Sequence, residues 1–261
     1  MRTRKIYTRD LFNQFGYLAT WLPGTPLELG DIGILNGREF TKIGNLKDHG
    51  LTFEIEEDYT PTDLDYSSKN AVSITTKLSG APVPAGSTLT EIDAGISIKF
   101  SKENAILLKA KDTTTPAIKD QITLGNKILE LFKKGEWNHK WAVITELVHA
   151  TNCSILISSS KEGHIDLKAT ANIATNAIDI TDTSFEFVDS FSKDVSTSLI
   201  ARKGLTPMFK VSKVRRRFVA PPIFKFKGID SLDLVTPKHI EKQNDEFYFG
   251  EPLYKDYLEI E

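Results

Sequence analysis

Between Ala94 and Ala169 the chain twice shows a period of two in its apolar residues. Ala94, Ile96, Ile98 and Phe100 alternate with Gly95, Ser97, Lys99 and Ser101; after a polar break at residues 102–104, Ile106, Leu108 and Ala110 alternate with Leu107, Lys109 and Lys111. Successive side chains of a strand point to opposite faces, so each run offers one apolar and one mainly polar face. A second pair follows, with Ile155 and Ile157 on one arm and Ile165, Leu167 and Ala169 on the other, across a turn at residues 160–163. Two amphipathic hairpins are therefore expected, over about residues 91–112 and 153–171. Segments of this kind must bury one face, which makes sheet the dominant structure.

The remaining chain is read around them. Thr8 to Phe15 has helical spacing, with Thr8 as N-cap and Gly16 as stop. Residues 17–23 and 27–35 read as short extended pieces, and Asn36-Gly37 as a hairpin turn. The acidic stretch Glu54 to Ser68 reads as an exposed loop. Between Pro116 and Lys134, Ile118, Ile122, Leu129 and Phe132 share a helical face, and Gly135 caps it. Strands are expected again at Trp141 to Val148, Asp179 to Val188, Val195 to Lys203 and Gly204 to Val214. The fold class is α+β: a single domain with a twisted, mostly antiparallel central sheet flanked by a few helices. Its body spans residues 1–228, and residues 229–261 form a linker and a short acidic, aromatic tail. Glu241 to Glu261 carries seven acidic and two basic residues together with Phe247, Tyr248, Phe249, Leu253 and Tyr254, a composition suited to docking back onto the body.

Composition narrows the function classes. With 40% apolar and 26% charged residues the chain has the balance of a globular protein. A formal charge of −2 supplies no overall field for nucleic acid, and no nucleic-acid partner is expected. One cysteine, Cys153, has no partner for an internal disulfide, which fits a reducing cytoplasm. The basic N-terminal residues precede no apolar run, so no signal peptide is read there. No window approaches the ~18 consecutive apolar residues of a membrane-spanning helix.

No catalytic motif is present. His49, His139, His149, His164 and His239 are scattered without metal-ligand spacing, so neither a metal site nor a cofactor is expected. Neither a nucleophile elbow nor a phosphate-cradling glycine loop occurs. Cys153 reads as a packing residue, and the pairs Asp63/Asp65 and Asp179/Asp182 as solvated turn acids. The sharpest local feature is basic: Lys210, Lys213, Arg215, Arg216 and Arg217, flanked by Phe209 and Phe218. It suits phosphates of lipid or nucleic acid, or else an exposed strand end or a docking surface for the acidic tail. Arg2, Arg4, Lys5 and Arg9 form a second, weaker cluster.

In order along the chain, Phe15-Gly16-Tyr17, Leu22-Pro23, Pro26-Leu27, residues 43–46, 92–98, 141–148 and 154–158, and the stretch Leu199 to Val214 resemble the bacterial gasdermins. The resemblance covers most of the chain as pattern and order. It implies a gasdermin N-domain-like fold and a pore-forming effector in cell death or antiviral defence, not an enzyme. Such a protein is a cytoplasmic monomer until a protease cuts the connection to an autoinhibitory tail (Phe247, Tyr248, Phe249, Leu253, Tyr254). It then forms homo-oligomers at the inner face of the cell membrane. The implied membrane-inserting residues are Ile96, Ile98, Phe100, Ile106 and Leu108 in the first hairpin, and Ile155, Ile157, Ile165 and Leu167 in the second. Lys99, Lys109 and Lys168 would face the lumen, and Lys213, Arg215, Arg216 and Arg217 would contact anionic lipid head groups. The alternative is a non-catalytic intracellular binding or scaffold protein.

Overall fold

The computed structural model describes residues 2–170, 178–216, 247–252 and 257. Two helices, α1 (Arg2–Phe15) and α2 (Gln121–Lys133), accompany fourteen strands among these residues. The strands are β1 (Leu18–Ala19), β2 (Asp31–Asn36), β3 (Glu39–Asn45), β4 (Ile55–Glu56), β5 (Thr62–Ser67), β6 (Val72–Lys77), β7 (Gly95–Phe100), β8 (Ile106–Thr114), β9 (Ala117–Ile118), β10 (Trp141–Ser158), β11 (His164–Ala169), β12 (Phe187–Lys193), β13 (Val195–Arg216) and β14 (Phe247–Gly250). They form two antiparallel sheets in one mostly β domain. The larger, curled sheet is built on β10 and β13, 18 and 22 residues long, and the smaller has the order β12-β11-β7-β6.

Neither expected hairpin forms. β7 and β8 are consecutive but lie in different sheets, β7 pairing with β6 and β11, and β8 with β5 and β10. β10 and β11 are divided in the same way, since β11 pairs with β7 and β12. The direct partners are Ile98 with Ile165 and Ile96 with Leu167 in the small sheet, and Leu108 with Ile155 and Ile106 with Ile157 in the large one. The reason is packing. Ile106, Leu108, Ile155 and Ile157 enter a core beneath α1 with Tyr7, Leu11 and Met208. Leu107 and Leu156, on the opposite face, enter a core shared with Ile96, Ile98, Phe100, Ile165 and Leu167. Here the large sheet is a middle layer with apolar contacts on both sides, and the small sheet covers one of them.

Other expectations shift for local reasons. α1 begins at Arg2, so Thr8 is no N-cap but lies inside the helix with its hydroxyl donating to the Arg4 carbonyl. Gly16 does end it, at φ +75°. Residues 17–23 supply only the two-residue β1. The β2–β3 turn is centred on Gly37-Arg38, because Asn36 pairs with Glu39 and Gly37 takes φ +61° in the first central position. The acidic loop holds β5, in which Leu64 and Tyr66 turn inward while Asp65 and Asp63 pair with Lys109 and Lys111 across β8. In α2, with Asp120 as N-cap, the buried face is Leu124, Gly125 and Ile128; Ile122 is 80% exposed and Ile118 belongs to β9. The strands read at 141–148 and 154–158 are one strand, as are those at 195–203 and 204–214. The expected boundary at residues 228/229 lies outside the described residues.

Candidate functional site

The C-terminal tail is seated where α2 meets the end of β13. β14 adds antiparallel to it, with Lys213 opposite Gly250, Val214 opposite Phe249, Arg215 opposite Tyr248 and Arg216 opposite Phe247. The sequence makes room for it at Gly125, where a Cβ would lie 3.0 Å from Phe249 Cβ. Phe247 packs edge-on against Phe132 with ring centroids 4.9 Å apart, and Tyr257 packs on Phe12 at 5.0 Å. Arg215 lies over the Tyr248 ring at 5.4 Å and donates through Nη1 to the Glu251 carbonyl at 2.6 Å. Four ladder residues make a short strand, and aromatic pairs of this kind contribute about 0.5–1.5 kcal/mol each. A cavity of about 380 Å³ remains beside the seat, between α2 and Phe247 and Phe249. The tail is therefore specifically placed and incompletely packed. Leu253 and Tyr254 lie outside the described residues.

The basic cluster does not form one face. Lys213 and Arg215 project to one side of β13 and Arg216 to the other, by the alternation of the strand. Lys210 is engaged elsewhere, 3.2 Å from Glu146 and 4.5 Å from the Tyr17 ring centroid. Tyr17 donates to the same carboxylate, and burial together with that bond pushes its phenol above the usual range. Arg217 and Phe218 lie outside the described residues. In the N-terminal cluster Arg4 pairs with Glu39, and Arg9 with Asp10.

All nine residues expected to insert into a membrane are core residues, from Ile98, Ile106, Leu108, Ile155, Ile157 and Ile165 at 0% exposure to Phe100 at 3%. The connections that would be hairpin tips, residues 101–105 and 159–163, sit together. Ser158 ties them: its hydroxyl donates to the Lys102 carbonyl at 2.7 Å and accepts from the Ala105 N–H at 2.9 Å. Of the three lysines expected on a lumen face, Lys109 bonds Asp65, Lys168 pairs with Asp93, and Lys99 donates to the Ala85 carbonyl.

Two further features were not read from the sequence. Ser97, His164 and Asp166 meet on the small sheet, where strand pairing brings together residues distant in the chain. Their geometry is not that of a catalytic relay. One atom, His164 Nε2, faces both Ser97 Oγ at 3.0 Å and Asp166 Oδ1 at 2.8 Å, whereas a relay needs the two ring nitrogens on opposite partners. Burial raises the Asp166 pKa, but hydrogen bonds from Thr88 and Ser97 outweigh it and hold the carboxyl below its usual range. The second feature is a cavity of about 600 Å³ with Leu27, Leu29, Leu51, Phe53 and Leu147 in its wall and Lys47, Glu57 and His149 among its polar lining. Cys153 is fully buried, and that burial pushes its thiol up to about 12, as an inert packing residue requires. Among the described residues no cluster of three or more His, Cys, Asp or Glu could hold a metal ion, and no helix is long and apolar enough to cross a membrane. Compared with known proteins, the chain matches no family model and no curated protein.

Proposed function

We infer that the chain is a latent pore-forming effector of the gasdermin type. Its tail restrains it, and a protease that cuts between body and tail releases it. The observation that carries this reading is the division of two strand pairs between two sheets. β7 and β8 are consecutive, as are β10 and β11, yet each strand is paired with a member of the other pair. Exchange of partners would replace the β7–β11 and β8–β10 ladders with two hairpins, one set of backbone hydrogen bonds for another. The apolar faces would pass from core to lipid without returning to water, so the hydrophobic term, about 1.5–3 kcal/mol per large aliphatic side chain, is retained. Strands of ~9–11 residues cross a bilayer when tilted, and a closed ring of subunits leaves no unpaired edge.

The tail fits the role of restraint because its loss changes chemistry as well as cover. Arg215 loses the Tyr248 ring and the Glu251 carbonyl, and gains a place for a lipid phosphate beside Lys213. On this reading the latent protein is a cytoplasmic monomer, and the released body gathers as a homo-oligomer on anionic lipid at the inner face of the cell membrane. No catalytic step is assigned to it, and the shared His164 nitrogen argues against a relay through Ser97.

A second reading, a binding or scaffold protein, is favoured by Leu107 and Leu156. Both break the alternation and are buried at 1% and 0% exposure, as a middle layer requires and a polar lumen does not. One experiment separates the two readings. A specific protease site is placed near Lys238, and dye release from anionic liposomes is followed with and without cutting. Release that depends on cutting supports the pore former. No release from cut protein that keeps its fold supports the scaffold.

A further inference from the structure

The small sheet carries a polar outer face, and residues 78–94 cross it as a strap fastened by side chains from three strands. Lys77 of β6 is 2% exposed, and its ammonium donates to the carbonyls of Leu78, Glu91 and Asp93 at 3.2, 3.0 and 2.7 Å. Those three bonds use all three ammonium donors. From β11, Lys168 pairs with Asp93, and Asp166 accepts from the Thr88 N–H and hydroxyl at 2.6 and 2.9 Å. From β7, Lys99 donates to the Ala85 carbonyl. Between its ends the strap buries little apolar surface in return. Leu89 is 3% exposed, while Ile92 is 81% and Val83 39% exposed. Leu78 and Ala94 anchor its two ends on the core shared with β7 and β11, and between them hydrogen bonds and charge do most of the holding.

The geometry points to the strap as a restraint on the small sheet, pinned by Lys77 and separate from the tail. It spans β6, β7 and β11, two of which must part in the conversion proposed above, and its contacts lie on the opposite face of those strands from their apolar core. The role in conversion rests on that reading; the pinning does not. Removing the ammonium takes the donor from the Asp93 carbonyl and leaves the Leu78 and Glu91 carbonyls with the Ala81 and Gly80 amides alone, and the lost bonds are regained by letting water in. The strap then lifts, and β7 and β11 lose the cover of their polar face.

Hydrogen exchange of the intact chain tests this with Lys77→Met, which keeps the length of the side chain and removes its donors. Exchange of the Gly80 and Thr88 amides, and of the β7 and β11 ladder amides beneath them, is expected to rise by about tenfold or more, with β10 and β13 unchanged. Fluorescence of Trp21, Trp137 and Trp141, none of which lies in the small sheet, reports whether the rest of the fold is kept. Should Lys77→Met fail to fold, Lys168→Met at a half-exposed position reads the same amides. Faster exchange confined to residues 78–94 would overturn the restraint, and an unchanged strap would overturn the pin. The same variants, cut near Lys238 and added to anionic liposomes, are expected to release dye faster than the cut wild type. If exchange rises as expected while no cut protein releases dye, the strap stands and the pore reading falls.

Discussion

Asp93 shows how much one residue does that its place in the sequence conceals. It stands in a Thr-rich, Pro-rich stretch, yet it is 7% exposed, pairs with Lys168 and accepts from the Thr90 N–H and hydroxyl. The Lys168 bond first, and then the two Thr90 bonds, hold its carboxyl well below the usual carboxylate range. A value lowered by folding adds stability that is complete above the unfolded value and is lost as pH falls through the folded one. The contribution is therefore full at neutral pH and starts to decline below about pH 4. Asp93→Asn is expected to lower the urea midpoint at neutral pH, with the gap to wild type narrowing steadily as pH falls below about 4. A gap that stays constant with pH would assign the effect to packing. Residue types did reveal Cys153 as buried and inert, because a lone cysteine in a strand beside Ser154 and Ile155 suits a small packing residue. They could not reveal Lys77 or Asp166 as buried, since the carbonyls, amide and hydroxyl that satisfy them come from a loop that only the folded chain lays across the sheet.

At the scale of elements, period locates a strand but does not choose its partner. The alternation at Ile96 to Phe100 and Ile106 to Ala110 placed β7 within a residue or so and the start of β8, which runs on to Thr114, and a short polar connection made pairing them the natural expectation. Leu107 and Leu156 carried the contrary signal: an apolar residue on the face opposite the stripe marks a strand buried on both sides. β5 was equally legible in the pattern of Asp63, Leu64, Asp65 and Tyr66, but acidic composition outweighed alternation. The start of α1 was hidden by Arg2, Arg4 and Lys5. Gly125 is the most consequential missed element signal, because a glycine inside a helix usually marks close approach. Gly125→Leu is expected to displace β14 while leaving the body intact, since removing a helix-interior glycine favours α2 by up to about 1 kcal/mol. Amide protection of residues 247–250 should be lost while that of β10 persists. Unchanged protection of the tail would mean that Phe249 has another seat.

At the scale of the whole molecule, the division of the strand pairs decides what kind of test is informative. A charge placed at Ile96 or Ile98, which suits a lipid-facing position, would here enter a core where both side chains are at most 1% exposed. It would unfold the protein before any membrane was met, so loss of lysis would say nothing about insertion. A bond that is silent in this fold and obstructive only to the proposed conversion is the better probe. Ile98 and Ile165 are direct partners on β7 and β11, and in the hairpin reading each must leave the other. Ile98→Cys with Ile165→Cys, oxidised, joins the two strands and closes a long loop, while Cys153 stays buried and inert. The cut, oxidised double variant is expected to bind anionic liposomes and release no dye, and reduction should restore release toward that of the cut, reduced single variants. Full release from the oxidised protein would show that β7 and β11 stay paired in the pore, and the inserting strands would then have to be sought elsewhere. Because the same molecule serves as its own control before and after reduction, the cavity left by two shortened side chains is common to both states and cancels.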